Sequence, residues 1–217
     1  MGDLTEQLEQ RAIFSLLGEP GGLKVLDVGC GDGTNAMEVS RRGGNAFGLD
    51  RSLPMLTAAK TRADLSDATT QFCQGTGDSL PFRDSSFDLV LAVTVLCWLP
   101  EPIAALKEMN RVLRPGGTLV VGELGRWSLW ALVRRLRGLM GSRSWRGCHF
   151  WTVKELARVL ARAGLRAREI RCAVYYPPSD LLARLMAPFE GARTCRKEFG
   201  AAFIAVRSIK DLPEARF

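Results

Sequence analysis

The chain has a single histidine, two tyrosines and six cysteines, and no two of the cysteines form a C-x-x-C pair. Zinc sites need clustered Cys and His ligands, so a metal centre is not expected. Scattered cysteines also read as reduced thiols rather than a disulfide framework. No apolar run approaches the roughly 18 residues of a bilayer-spanning helix. The segment Met1 to Gln10 is too polar for a secretory signal. These absences point to a cytoplasmic protein. Internal repeats and low-complexity tracts are missing as well.

What is present fits one domain over 1–217, with 47% hydrophobic and 24% charged residues, ordinary globular values. Residues 4–17 place Leu4, Leu8, Ile13, Leu16 and Leu17 near one helical face, giving an N-terminal helical segment within 1–22. The net charge of +7 is unevenly spread: residues 124–171 hold twelve basic and two acidic side chains, net +10, and the rest is net −3.

From residue 23 onward, Val/Leu runs alternate with helical patterns. Strands are expected near 24–29, 45–49, 69–73, 87–93 and 117–123, and helices near 33–42, 53–63 and 101–113. Continuous apolar strands between helices mean a parallel sheet buried on both faces. Thr152 with Glu155 reads as a capping box opening a helix over 153–163, which Gly164 ends. Residues 165–175 read as a strand, and Glu198 to Val206 as the last one.

The run Val25-Leu26-Asp27-Val28-Gly29-Cys30-Gly31-Asp32-Gly33 ends an apolar strand in three alternating glycines, and Asp50 closes the next apolar run. A glycine turn before a helix lets backbone approach a ligand closely, with helix N–H groups facing it. An acid at the tip of the second strand suits the two hydroxyls of a ribose. The dinucleotide fingerprint is G-x-G-x-x-G, whereas this chain reads G-x-G-x-G with Thr34 following. A nicotinamide-dependent oxidoreductase is therefore the weaker reading of this turn.

These residues resemble the class I S-adenosylmethionine-dependent methyltransferases, in particular the broad small-molecule ("type 11"-like) subfamily. The likeness spans about Leu23 to Val121 and rests on five ordered motifs. They are the glycine turn 25–33, Gly48-Leu49-Asp50 followed by Met55-Leu56, Gly77-Asp78-Ser79-Leu80-Pro81-Phe82, Phe87-Asp88-Leu89-Val90, and Val112-Leu113-Arg114-Pro115-Gly116-Gly117. The resemblance implies an α/β, Rossmann-like, doubly wound seven-stranded sheet, mainly parallel with an antiparallel last strand. S-adenosyl-L-methionine is the implied cofactor, with a small-molecule acceptor as partner.

Residue by residue, the likeness assigns Asp27, Gly29, Gly31 and Gly33 to the methionine and ribose parts of the cofactor. It assigns Asp50 to the ribose hydroxyls, Arg51 and Met55 to covering the adenine, and Asp78 with the Ser79 backbone to its amino edge. Thr94 follows the fourth strand, where the family places groups facing cofactor and substrate. Many relatives carry His or Glu at the position of Cys97; here the run is Val95-Leu96-Cys97-Trp98. Asp88, at the base of its strand, reads as structural. Candidate acid–base groups are His149, with surface packing as its plainer role, and Glu123 at the end of the fifth strand. Methyl transfer from a sulfonium is mainly a matter of alignment in dry surroundings, so neither is obligatory.

The segments 124–151 and 176–197 depart from the family core and are expected to cap the acceptor site. Trp127, Trp130, Val133, Leu136, Leu139 and Met140 recur at three- and four-residue intervals, an amphipathic helix flanked by arginines. A lid over the acceptor pocket, a contact with an anionic membrane surface through 126–140, and an ordinary solvated helix stay open for it. Nucleic acid is disfavoured, because no stacking motif or RNA-binding module accompanies the charge. A lipid or quinone methyltransferase at the membrane periphery is the main alternative acceptor class. Below it stand tRNA, protein and arsenite methyltransferases and a non-catalytic cofactor-binding module. The sequence does not specify the oligomeric state.

Overall fold

The apolar runs fold into one sheet whose pleat sends alternate residues to opposite faces. The computed structural model describes residues 2–66, 69–142, 145–186, 193–194 and 198–212. Its parallel strands are β1 (Lys24–Val28), β2 (Asn45–Asp50), β3 (Gln71–Gln74), β4 (Phe87–Val93) and β5 (Leu113–Leu124). β6 (Leu165–Ala173) carries at its edge a two-residue β7 (Arg193–Thr194), and β8 (Phe203–Lys210) runs antiparallel to both β5 and β6. The order is β3-β2-β1-β4-β5-β8-β6-β7. Apart from the short edge strand, this is the seven-stranded doubly wound sheet with a reversed last strand.

Helices cover both faces. On one, α1 (Gly2–Leu17) and α2 (Thr34–Arg41) bury Leu8, Ile13, Leu16 and Val39 against Val25, Leu91, Val120 and Phe203. On the other, α4 (Pro102–Val112) and α6 (Val153–Arg162) bury Leu106, Met109, Leu156 and Leu160 against Leu26, Val90, Leu119 and Val121. Neighbours such as Val25 and Leu26 thus belong to different cores. α3 (Leu53–Leu65) is capped by Ser52, whose hydroxyl accepts from the Met55 N–H. α5 (Leu129–Leu139) and α7 (Asp180–Met186) lie within the segments expected to form a cap. The Thr152–Glu155 capping box is present at the start of α6.

Three features differ from expectation. β5 starts at Leu113 rather than after the Pro115-Gly116-Gly117 turn. Leu113 pairs with Phe87, the register then shifts before Leu89, and Gly116 absorbs the irregularity at φ +77°. The last strand begins at Phe203 rather than Glu198, because a turn through Gly200 (φ +93°) precedes it. Cys172 is disulfide-bonded, whereas Cys30, Cys73, Cys97 and Cys148 are free thiols, as expected for all six. Of the segment 176–197, residues 187–192 and 195–197 lie outside the described residues.

Candidate active site

The strands β1, β2 and β4 end together, and the turns leaving them build two adjoining clefts. β1 leaves the sheet through Gly29, Gly31 and Gly33, at φ +72°, +55° and +83°. All three occupy the left-handed region that glycine adopts without cost. The turn is fastened to β2: Leu49 O accepts from Gly29 N (2.7 Å) and Cys30 N (3.0 Å). Asp50 completes the fastening, with Oδ2 accepting from Gly31 N (2.9 Å) and Oδ1 from Ser52 N (2.8 Å).

The glycines differ in what limits them. A Cβ on Gly29 would meet Val95 Cγ2 at 2.5 Å, and one on Gly33 would meet the Phe72 ring at 2.9 Å. A Cβ on Gly31 would meet no protein atom within 4 Å. Packing accounts for the first and third positions. The middle one opens on a cleft.

The first cleft, about 310 Å³, is lined by Gly29, Asp50, Arg51, Gly77, Asp78, Thr94 and Val95, with Trp98 to Pro100 as a wall. The second, about 250 Å³, lies between the glycine turn and α1; Gly29 and Thr94 border both. Its lining includes Gly31, Asp32, Thr34 and Val93, and from α1 Glu6, Glu9, Gln10 and Ile13. Thr94 sits at φ +53°, its N–H donating to Gly122 O at 2.7 Å and its hydroxyl to Val93 O at 2.8 Å. A threonine held in that conformation is strained, and such residues cluster where geometry matters more than stability.

Asp27 lies beneath this junction, 2% exposed, and its Oδ2 has no hydrogen-bond partner. Burial pushes its carboxyl up to about 7, nearby Asp50 and Asp32 push the same way, and the Ala36 N–H opposes them. Glu9 is also raised to about 7, by burial first and by Glu6 in addition, with Arg134 opposing. A turn cleared for a ligand at Gly31, a carboxylate at the β2 tip and an unsatisfied buried oxygen suit a nucleoside with a short polar tail. That is the shape of S-adenosylmethionine.

Other expected site residues fall at or beyond the rim. Met55 is 48% exposed at the start of α3 and Ser79 is exposed in the β3–β4 turn; neither lines a cleft. Asp88 is at the opposite end of β4, accepting from Lys24 N at 2.8 Å and pairing with Arg114. Trp98 stands half exposed in the wall of the first cleft.

Glu123 is fully buried and lines neither cleft. Its Oε1 accepts from Val95 N (3.1 Å) and Leu96 N (2.7 Å), while Oε2 has no hydrogen-bond partner. Burial raises its carboxyl to about 8 against these favourable contacts. His149, in the stretch leading into α6, is exposed, and its backbone N–H donates to Cys97 O at 2.9 Å. Arg126 Nη2 lies 3.3 Å from His149 Nε2. A guanidinium only donates, so in this contact Nε2 is placed as the acceptor. Burial and the Arg126 and Arg135 charges depress the imidazole accordingly.

Sequence reasoning missed Glu9 and Gln10. Their helix was read only for its apolar face, and no local pattern tells which helix roofs a turn twenty residues on.

Comparison with known proteins follows the same outline. A methyltransferase domain model matches residues 26–121. An uncharacterised protein of Mycobacterium tuberculosis is 30% identical over 212 residues, covering 98% of this chain and 68% of its own length. A ubiquinone biosynthesis O-methyltransferase of Bradyrhizobium diazoefficiens is 35% identical over 167 residues, 74% of this chain and 65% of that protein. Among solved structures, a SAM-dependent methyltransferase of Thermotoga maritima superposes with a TM-score of 0.79 at 25% identity, covering 96% of this chain and 90% of its own.

Proposed function

The chain belongs to the class I S-adenosylmethionine-dependent methyltransferases, and we propose that it methylates a small, largely apolar acceptor. The cofactor, when bound, supplies an electrophilic methyl group on a sulfonium. Asp50 receives the ribose hydroxyls on lone pairs not taken by Gly31 and Ser52. Asp78 and the Ser79 backbone hold the adenine edge, with Arg51 and Met55 at its rim. Asp27, Gly29, Gly31 and Gly33 frame the methionine side. Thr94, shared by the two clefts, would border both the methyl donor and the acceptor.

Glu123 acts as a positioning residue rather than by touching the reacting atoms, because it fixes the Val95–Leu96 turn from below. His149, beside Arg126, serves as a base only for an acceptor that reaches its free edge. Alignment and exclusion of water carry the rest, worth about 7–11 kcal/mol in well-oriented cases.

The observation that carries this reading is the open space in front of Gly31 beside the Asp50 carboxylate. The experiment is calorimetry with S-adenosylmethionine and its demethylated product, followed by product-release assays over a panel of phenols, amines, thiols and quinols. Retention of nicotinamide nucleotides with no uptake of the sulfonium would overturn it.

A quinone-like acceptor is the second reading. Two observations favour it: the ubiquinone relative, of which this chain spans 65%, and the exposed apolar residues around α5.

A further inference from the structure

α5 carries two apolar faces where a surface helix needs one. Its inner face is used: Ala131 is buried, Arg134 stacks between the rings of Trp130 (5.1 Å) and Trp145 (4.8 Å), and Gly138 packs against the Trp145 carbonyl. Leu129, Leu132, Leu136, Leu139 and Met140 then recur at helical spacing and are 57%, 52%, 48%, 84% and 79% exposed. This stripe points away from the body of the protein. Arg135 and Arg137 are exposed and fall about 100° to either side of Leu136 on the helix. At the amino end, Trp127 is half exposed, and its carbonyl accepts from Gly200 N at 2.6 Å, which brings exposed Phe199 alongside.

We propose that this face of α5 docks on an anionic lipid bilayer. A solvent-facing leucine stripe edged by arginines, with aromatics at one end, is the pattern of a helix lying in a membrane interface. No helix among the described residues is long and apolar enough to cross a bilayer, so the contact is peripheral. Charge decides between occupants. The segment 126–146 holds six arginines and no acidic residue. A two-fold dimer through α5 would bring these charges face to face, since each copy presents the same patch to the other. RNA would leave the leucines in water. Anionic lipid answers both features: acyl chains meet the stripe, and headgroups meet Arg135 and Arg137.

The inference deepens the quinone-like reading, because it places a membrane-dissolved acceptor next to the cap that holds His149. Its test uses no acceptor, so failure of docking and failure of methyl transfer are read separately. The full chain is sedimented with phosphatidylglycerol-containing vesicles and with pure phosphatidylcholine vesicles, at low and high salt. Binding is expected only to the anionic vesicles and is expected to weaken with salt. The double variant Leu132→Glu/Leu136→Glu should lose partitioning by about tenfold or more, since each leucine withdrawn costs a full apolar side chain. Arg137→Ser, an exposed side chain, should weaken it several-fold, and Arg135→Ser, which also removes a guanidinium lying 5.0 Å over the Phe150 ring, should add to the loss. Calorimetric uptake of S-adenosylmethionine checks that the variants fold. Absence of binding to anionic vesicles, or equal binding by folded variants, refutes the proposal. Self-association abolished by the same substitutions, without vesicle binding, also refutes it and assigns the face to a second copy.

Discussion

Gly31→Ala separates ligand clearance from backbone need, two roles that are usually confounded in a glycine turn. At φ +55° Gly31 sits at the centre of the left-handed region, which an alanine adopts at a cost of about 1–2 kcal/mol. The added methyl meets no protein atom within 4 Å, so the folded state has no further reason to suffer. Gly31 does line the second cleft, about 250 Å³, through which the proposed placement runs the methionine tail. Overpacking a fitted site costs about 1–3 kcal/mol, or roughly 5- to 150-fold in Kd. Gly33→Ala is the control. Its methyl would press on Phe72 and Ala59 at 2.9 and 3.0 Å, so stability should fall further while affinity falls less. Urea unfolding gives the first quantity and calorimetry with S-adenosylmethionine the second. Gly31→Ala with wild-type affinity and reduced stability would show the turn to be architectural, and the cofactor placement would fail with it.

Other consequences follow from the same geometry. Asp50→Ala should weaken cofactor binding by about 1–3 kcal/mol, the usual loss of a charged hydrogen-bonding partner; an unchanged calorimetric Kd counts against the ribose assignment. Asp50→Asn should lie between, since an amide oxygen can keep only one of the Gly31 and Ser52 N–H contacts. Asp27, Glu9 and Glu123 are raised by burial to about 7, 7 and 8 from 3.8, 4.5 and 4.5. Between about pH 4 and 8 the native state therefore holds more protons than the unfolded chain, so this stability is full below about pH 4, falls as pH rises from there and is lost once pH has passed through 7–8. Urea midpoints should drop between pH 6.5 and 8, and a rise across that window would contradict the burial argument. Glu123→Gln, which mimics the protonated acid, should flatten that slope. Glu123→Ala orphans two N–H groups and should cost about 2–4 kcal/mol by the same measurement.

What the sequence discloses here is what lies close along the chain. The β1 turn, the Asp50 tip and the Thr152–Glu155 box are each contained in a few residues, and each appears where its spacing indicates. What it withholds is pairing across the fold. Nothing near Pro115 announces that Leu113 already pairs with Phe87. Nothing in α1 indicates that Glu9 lines a cleft, or that Ile13 both borders it and packs against Gly122 of β5. No local pattern around Tyr176 indicates that it is buried, bonds Thr5 through its hydroxyl at 2.8 Å and takes the Trp130 indole N–H on its carbonyl at 2.8 Å. Such contacts join residues 46 to 171 positions apart, and no periodicity encodes them.

The residues 94–98 connect what was legible to what was not. From below, Glu123 anchors Val95 and Leu96, and Val95 fills the space that Gly29 must leave vacant. From above, Cys97 O receives the His149 N–H, and the Trp98 and Trp145 rings lie 6.0 Å apart. The glycine turn and the basic segment 124–151 therefore share one short segment, strained at Thr94 and pinned on both sides. Strain of that kind persists only where its surroundings over-determine it. A neutral carboxyl suits the task, because one oxygen can serve two N–H donors without a buried charge to compensate. Among the described residues this segment is one of three contacts between the basic region and the glycine turn, beside Arg134 with Glu9 and the Trp130–Tyr176–Thr5 chain, and it is the one that Glu123 holds from below.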